Sequence, residues 1–140
     1  MYRGILVALD GSEPSKKALE AAIDLARTYR ASLHALGVQE HLPHYAATVG
    51  EVEEAKAELD TFYGRVMQEA QQTAAEQAMT LATDVRAGHA AQQILQVARE
   101  GDFDLIVMGA RGHGFIRDFL LGTTTDRVSD HAPCSVLVVR

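Results

Sequence analysis

Cysteine is nearly absent from this sequence, since Cys134 is the only one among 140 residues. A single cysteine cannot form a disulfide within the chain, and a lone thiol without further cysteine or histidine ligands gives no metal site. Because Cys134 lies between Pro133 and an apolar run, we expect a small buried side chain rather than a reactive thiol. The sequence therefore gives no sign of a disulfide-stabilised, zinc-binding or redox protein.

Positive charge and long hydrophobic runs are scarce as well. Thirteen Lys and Arg residues stand against 19 Asp and Glu residues, for a formal net charge of -6. Binding to a phosphate backbone needs a basic face, so nucleic acid polymers are poor candidate partners. The first apolar run, from Ile5 to Leu9, is too short for a signal sequence or a membrane span. We expect a cytoplasmic protein that binds neither nucleic acid polymers nor membranes.

Apolar residues, by contrast, make up 47% of the chain, which is enough for a hydrophobic core. A length of 140 residues suits one domain, and no composition shift, low-complexity tract or internal repeat marks a linker. The sequence therefore predicts a single domain over residues 1–140.

Short β-rich apolar runs alternate along the chain with longer stretches of helical spacing, which is typical of βα units and a parallel sheet. The predicted strands are residues 4–9, 32–38, 81–86, 104–108 and 136–139, and the predicted helices are 13–30, 51–79, 88–99 and 123–131. In the longest helix, the predicted apolar stripe is Val52, Leu59, Phe62, Val66 and Ala70. The predicted fold class is α/β, a single doubly wound domain with a five-stranded parallel sheet and helices on both faces.

Ligands of such sheets bind beyond the carboxyl ends of the strands, where the strand order reverses, so the residues after each strand are site candidates. Asp10, after the first strand, is either a ligand-binding residue or a cap of the following helix, although Ser12 can also serve as that cap. His113 is either a phosphate contact or base, or an exposed loop residue. His41 and His44 lack the spacing of a metal site and are expected on a loop surface.

A glycine-rich segment begins where the fourth predicted strand ends. Gly109, Gly112 and Gly122 are followed by Thr123 and Thr124, which open the last predicted helix. Glycine allows positive φ and a close approach of main-chain N–H groups to a ligand, and a helix N terminus favours an anion. Residues 109–131 contain three arginines and three aspartates, so local charge does not repel an anion from this acidic chain. These features predict a phosphate-binding site.

Two other phosphate-binding motifs do not match this segment. A Walker A loop needs a lysine directly after a glycine, and none of the three lysines of the chain follows a glycine. A dinucleotide-binding fingerprint needs Gly-x-Gly-x2-Gly, whereas Gly109, Gly112 and Gly114 have the reverse order. We therefore expect neither a P-loop NTPase nor a Rossmann dehydrogenase.

The spacing Gly-x2-Gly-x9-Gly-Thr of Gly109, Gly112, Gly122 and Thr123 matches the signature of the ATP-binding branch of the universal stress protein family, which the chain resembles from end to end. Residues 7–12, 104–109 and 131–139 are similar to the family's first, fourth and last strand regions. Ser135, where the family often has a second proline, is a departure at no ligand-binding position. The resemblance implies a fold of the adenine nucleotide alpha hydrolase-like type.

The resemblance also implies a set of nucleotide-binding residues. The residues that would line the adenosine are Ala8, Leu9, Asp10 near the ribose, Val38 closing on the adenine, Met108 and Gly109. The residues that would lie at the phosphates are Arg111, Gly112, His113, Gly122, Thr123 and Thr124. Mg²⁺ or Mn²⁺ would bind through the phosphates of ATP rather than through protein side chains.

A homodimer through the last strand is a further implication of the resemblance. The apolar strand Val136 to Val139, with no tail to cover it, is an edge that favours a partner. Efficient phosphoryl transfer usually needs a lysine at the phosphates, protein-held Mg²⁺ and a positioned base, and no such set stands out. We expect an ATP-binding, homodimeric stress-response regulator with at most slow hydrolysis. Two alternatives stay open, a slow ATPase or adenylyl-transfer enzyme and a nucleotide-free interaction scaffold.

Overall fold

The computed structural model of the protein describes residues 1–40, 48–110 and 123–140. The described elements, in chain order, are β1 (Gly4–Ala8), α1 (Glu13–Tyr29), β2 (Ser32–Gln39), α2 (Val49–Ala75), β3 (Ala82–Ala87), α3 (Ala90–Glu100), β4 (Leu105–Gly109), α4 (Thr123–His131) and β5 (Ser135–Val139). The predicted order of strands and helices is confirmed. His41 and His44, and the segment 111–122 of the glycine-rich region, lie outside the described residues.

The five strands form one parallel sheet in the order β3-β2-β1-β4-β5. β1 is central, with Leu6 in register with His34 of β2 on one side and Ile106 of β4 on the other. After β3 the chain crosses back over β1 to begin β4, so the strand order reverses between β1 and β4. The doubly wound topology is confirmed, and it places a crevice beyond the carboxyl ends of β1 and β4.

Hydrophobic cores lie on both faces of this sheet. Ile5 and Val7 pack on the face covered by α1 and α2, whereas Leu6 packs on the face covered by α3 and α4. Because successive side chains of a strand point to opposite faces, a strand buried on both sides is apolar at every position. This confirms the prediction of helices on both faces.

The turn between β1 and α1 shows which residue caps α1 and what Asp10 does there. Ser12 is the N-cap of α1, because its hydroxyl oxygen accepts a hydrogen bond from the Ser15 N–H at 3.3 Å. The carboxylate of Asp10 accepts hydrogen bonds from the Ser12 N–H, at 3.0 Å, and from the Ser12 hydroxyl. The interpretation of Asp10 as the helix cap is therefore wrong, and Asp10 instead holds the turn that leads into α1.

The ends of α2 differ most from the prediction. The helix begins at Val49 rather than at residue 51, because Thr48 and Glu51 form a capping box that is completed before the apolar pattern starts. It ends at Ala75 rather than near Met79, since Ala78 has a left-handed φ of 57° and the Met79 N–H donates to the Ala74 carbonyl at 2.9 Å.

The predicted apolar stripe of α2 is confirmed in part, because Ala70 is buried and Val66 packs against the core, but the other buried residues of this helix are Tyr63, Met67 and Ala74. Phe62 was predicted on the stripe but is 38% exposed. The reason lies in Gly37 of β2, where an added Cβ would come within 2.7 Å of the Tyr63 ring and 2.8 Å of the Met67 methyl group. These two side chains pack against the bare backbone of Gly37, and that contact sets which side of α2 faces the sheet.

Candidate functional site

The carboxyl ends of β1, β2 and β4 meet at the point where the strand order reverses. The Leu9 N–H donates to the Leu36 carbonyl at 2.9 Å, just after the end of β1, and Val7 is in register with Val107 of β4. Asp10, Val38 and Met108 therefore lie at the same edge of the sheet. The topology thus brings together three parts of the predicted site that are far apart in the sequence.

Three of the predicted site side chains share one face of this edge. Ala8, Val38 and Met108 pack in the core between the sheet and helices α3 and α4, where Val38 is 8% exposed and Met108 is 4% exposed. Leu9, by contrast, is buried in the core on the α1 and α2 face. A ligand on the face that Ala8, Val38 and Met108 share can therefore contact only the main chain of Leu9.

Gly109 ends β4 at the crevice, where it lies against the first turn of α1. Among the described residues, the glycines with positive φ are Gly11 and Gly88, so Gly109 does not use the positive φ that glycine allows. An added Cβ at Gly109 would lie 2.7 Å from the carbonyl carbon of Pro14 in the first turn of α1. The glycine is therefore needed because the backbone of α1 passes directly against the end of β4.

The N terminus of α4 lies beside the end of β4. The Thr125 hydroxyl donates to the Gly109 carbonyl at 3.0 Å, and the Thr125 side chain is buried. Thr123 is exposed and Thr124 is half-buried in the same first turn, where helical N–H groups have no partner within the helix. Thr125 was missed by the sequence interpretation, although a third consecutive threonine in the first turn of a helix was a visible signal.

The remaining predicted phosphate-site residues, Arg111, Gly112, His113 and Gly122, lie outside the described residues. The phosphate-binding loop therefore stays a prediction. Within residues 1–40, 48–110 and 123–140, no group of three or more His, Cys, Asp or Glu side chains could hold a metal ion. In the same parts of the chain, every helix is too short or too polar to cross a membrane.

Two side chains that the sequence interpretation missed hold the end of β2. The Tyr63 hydroxyl donates to the Val38 carbonyl at 2.9 Å, in a buried position. The Gln39 side-chain amide donates to the Asp60 carboxylate at 2.8 Å. Both partners on α2 lie within one turn of each other, and a sequence pattern cannot reveal which turn of a helix reaches a given strand.

A cavity of about 390 Å³ opens on the opposite face, between α1 and α2. Leu9, Leu19 and Val66 contribute apolar surface to it, and Lys16 and Arg65 are among its charged lining residues. The cavity shares Leu9 with the predicted site but not Ala8, Val38 or Met108. It is therefore a separate feature from the edge where the strand order reverses.

Comparison with known proteins identifies relatives over the full length of the chain. The model of the universal stress protein family matches residues 1–140. Universal stress protein YxiE of Bacillus subtilis is 34% identical over 148 residues, which cover 100% of both chains. The structure of universal stress protein UspA from Lactobacillus plantarum has a TM-score of 0.92 at 32% identity, covering 99% of this chain and 98% of that one.

Two more distant solved structures are nucleotide complexes. A universal stress protein in complex with cAMP has a TM-score of 0.75 at 22% identity, covering 99% of this chain and 97% of that one. The Archaeoglobus fulgidus universal stress protein in complex with dAMP has a TM-score of 0.68 at 19% identity, covering 99% of this chain and 98% of that one. At these identities, the likeness shows a shared fold.

Proposed function

Because this chain belongs to the universal stress protein family, we propose that it is a cytoplasmic, homodimeric stress-response protein that binds ATP as a regulatory ligand. The observation that carries the proposal is the apolar face of Ala8, Val38 and Met108 beside the N terminus of α4. An apolar surface suits the adenine ring, and a helix N terminus suits phosphate groups. Asp10 lies at the same edge, where its carboxylate can accept a hydrogen bond from a ribose hydroxyl.

Two further observations support an adenine nucleotide as the ligand class. Relatives of the same fold form complexes with cAMP and with dAMP, and both of these ligands contain adenine. The choice of ATP rests on the spacing of Gly109, Gly112, Gly122 and Thr123, which matches the signature of the ATP-binding branch. The nucleotide-free scaffold is disfavoured by the same intact signature.

In the proposed complex, Mg²⁺ or Mn²⁺ binds together with the nucleotide. Thr123 and Thr124 provide hydroxyl and N–H groups at the start of α4. As neutral hydrogen-bond donors, these groups are better suited to bind phosphate oxygens than to bind a bare cation. Mg²⁺ retains several waters and usually binds through phosphates with few protein ligands. The cation would therefore neutralise phosphate charge rather than occupy a site of its own.

A regulatory role fits the described edge better than fast catalysis. The carboxylate of Asp10 is engaged by Ser12, and Lys16 lines the separate cavity on the α1 and α2 face. Phosphoryl transfer usually needs a lysine at the phosphates and a positioned base. We therefore propose that bound ATP biases the conformation or the partner surface of the dimer and that the protein hydrolyses ATP slowly at most.

Native mass spectrometry and calorimetric titration with MgATP test this proposal. We expect a copurifying adenine nucleotide, or binding of one ATP per protomer to the stripped protein. Purified protein that neither carries nor binds ATP would favour the scaffold alternative. ADP or AMP formation is then followed with protein in excess over ATP, and a flat time course is expected. Steady conversion of the bound ATP to ADP or AMP would instead favour the slow ATPase or adenylyl-transfer enzyme.

The two edges of the sheet differ in a way that supports a dimer through β5. The edge strand β3 carries an ion pair in which Nε of Arg86 lies 3.2 Å from Oδ2 of Asp84, and edge charges oppose strand pairing. β5 has the sequence Ser-Val-Leu-Val-Val, and Leu137 is 37% exposed. An uncharged edge with an exposed leucine favours burial against a second copy, along Val136 to Val139.

Leu137→Lys is expected to weaken the dimer about 100-fold or more, because an unpaired charge would be buried in the interface. Sedimentation velocity across a concentration series measures the dissociation constant. Val85→Lys is the matched control, since Val85 is a similarly exposed aliphatic residue on the opposite edge strand, and it should stay dimeric. A Leu137→Lys protein that dissociates like wild type would remove β5 from the interface.

A further inference from the structure

The main chain of Val38 faces the crevice beyond the end of β1. In a strand, alternate residues direct their carbonyl groups to the same side. The Leu36 carbonyl faces β1, since it accepts from the Leu9 N–H, whereas the Gln39 carbonyl faces β3 and accepts from the Gly88 N–H at 2.9 Å. The Val38 carbonyl is thus directed to the β1 side. Because β1 ends at Ala8, it faces the space where the adenine is proposed to bind.

Tyr63 of α2 reaches this carbonyl from the other face of the sheet. Its hydroxyl donates to the Val38 carbonyl at 2.9 Å, and its side chain is buried. The ring packs on the backbone of Gly37 and meets the Phe62 ring edge-on, with centroids 5.2 Å apart. These contacts restrict the ring, so the hydroxyl holds the peptide group after Val38 in one orientation.

The same turn of α2 makes a second tether to the end of β2. Asp60 accepts a hydrogen bond from the Gln39 side chain at 2.8 Å, next to the bond from Tyr63 to Val38. Burial, followed by the negative charges of Asp10 and Glu40, raises the pKa of Tyr63. The hydroxyl therefore stays protonated and continues to donate at physiological pH.

We infer that Tyr63 is a positioning residue for the adenine, because its hydroxyl fixes the Val38 main chain at the edge where the base is proposed to bind. This inference rests on the proposed ATP site. Part of the affinity for the adenosine half of ATP would then depend on α2, although this helix contributes no residue to the glycine and threonine signature. Its effect should be confined to the adenosine half of the nucleotide, since the phosphates are proposed to bind at α4.

Tyr63→Phe tests the inference, because it removes the hydroxyl and keeps the ring that fills the space over Gly37. Affinities for MgATP, adenosine and inorganic tripolyphosphate are measured by calorimetry or by competition. We expect ATP and adenosine to bind about 5- to 10-fold more weakly, the usual effect of losing one hydrogen bond, and tripolyphosphate to bind as it does to wild type. A role in general stability alone would not separate adenosine from tripolyphosphate.

Tyr29→Phe is the matched control, since Tyr29 is exposed at the end of α1 and should bind all three ligands like wild type. Circular dichroism and thermal melting establish that each variant is folded. If Tyr63→Phe does not fold, Asp60→Asn weakens the neighbouring tether from an exposed position, and an unchanged adenosine affinity there would count against the inference.

The outcomes separate the inference from the proposed function. Wild-type protein that binds no ATP overturns the proposed function, and the inference with it. If wild type binds ATP, a folded Tyr63→Phe protein with wild-type affinity for ATP and adenosine overturns the role of Tyr63 alone. A parallel loss of tripolyphosphate binding also overturns it, because the change would then be a general loosening of the site.

Discussion

Gly122→Val is expected to abolish ATP binding while the protein keeps its fold. Gly122 lies outside the described residues, and it directly precedes Thr123, the first residue of α4. A helix N terminus binds phosphate through main-chain N–H groups, and a branched side chain there would occupy the position of a phosphate. The loss of two charge-assisted hydrogen bonds, each worth about 1.5 to 3 kcal/mol, would weaken ATP binding about 100-fold or more. Calorimetric titration with MgATP measures this loss.

Gly64→Val is the matched control for this change. Gly64 lies within α2, and an added Cβ there would meet no atom within 4 Å beyond its chain neighbours and the nearby backbone of its own helix. We expect this variant to bind ATP like wild type, with an unchanged circular dichroism spectrum in both variants. Wild-type ATP affinity in folded Gly122→Val protein would contradict the assignment of the glycine-rich segment as a phosphate site.

Gly109→Ala is expected to destabilise the protein by about 1 to 3 kcal/mol, the usual effect of overpacking a close contact. The added Cβ would lie 2.7 Å from the carbonyl carbon of Pro14 and 2.8 Å from its oxygen. These are backbone atoms in the first turn of α1, so they cannot move away by rotation of a side chain. Relief requires a shift of α1 together with the turn held by Asp10 and Ser12. Urea denaturation followed by circular dichroism measures the free energy of unfolding.

Gly64→Ala makes the same chemical change where the structure has room for it. An alanine inside a helix is favoured over glycine by about 0.5 to 1 kcal/mol, so this variant should be slightly more stable than wild type. The two substitutions are thus expected to change stability in opposite directions. If Gly109→Ala unfolds at the same urea concentration as wild type, close packing against Pro14 is not the reason for the glycine.

The order and type of the secondary structure elements were predictable from the sequence, and so was the beginning of α1. These features depend on neighbours a few residues apart. Ser12 caps the helix through Ser15, and apolar runs such as Leu105–Gly109 form strands because both faces of the sheet are covered. The beginning of α2 depends on neighbours as well, but the capping residue Thr48 lies before the apolar pattern that predicts the helix.

The side of α2 that faces the sheet could not be predicted in the same way. Periodicity allowed a stripe through Phe62, but the helix turns Tyr63 and Met67 inward because Gly37 of another element leaves space for them. The tether from Tyr63 to Val38 depends on the same packing, so it had no signal in the sequence. A helix with apolar residues on two adjacent stripes is oriented by the surface that it meets.

Local sequence was thus sufficient for the α/β class, for the family resemblance and for the positions of the glycine and threonine signature. Contacts between distant segments were needed to show that Ala8, Val38 and Met108 share one face and that Leu9 points to the other. They also showed that Gly109 is a packing residue against Pro14. The reason is physical, since hydrogen bonding within a turn or strand is encoded by adjacent residues, whereas close packing depends on residues that only the fold brings together.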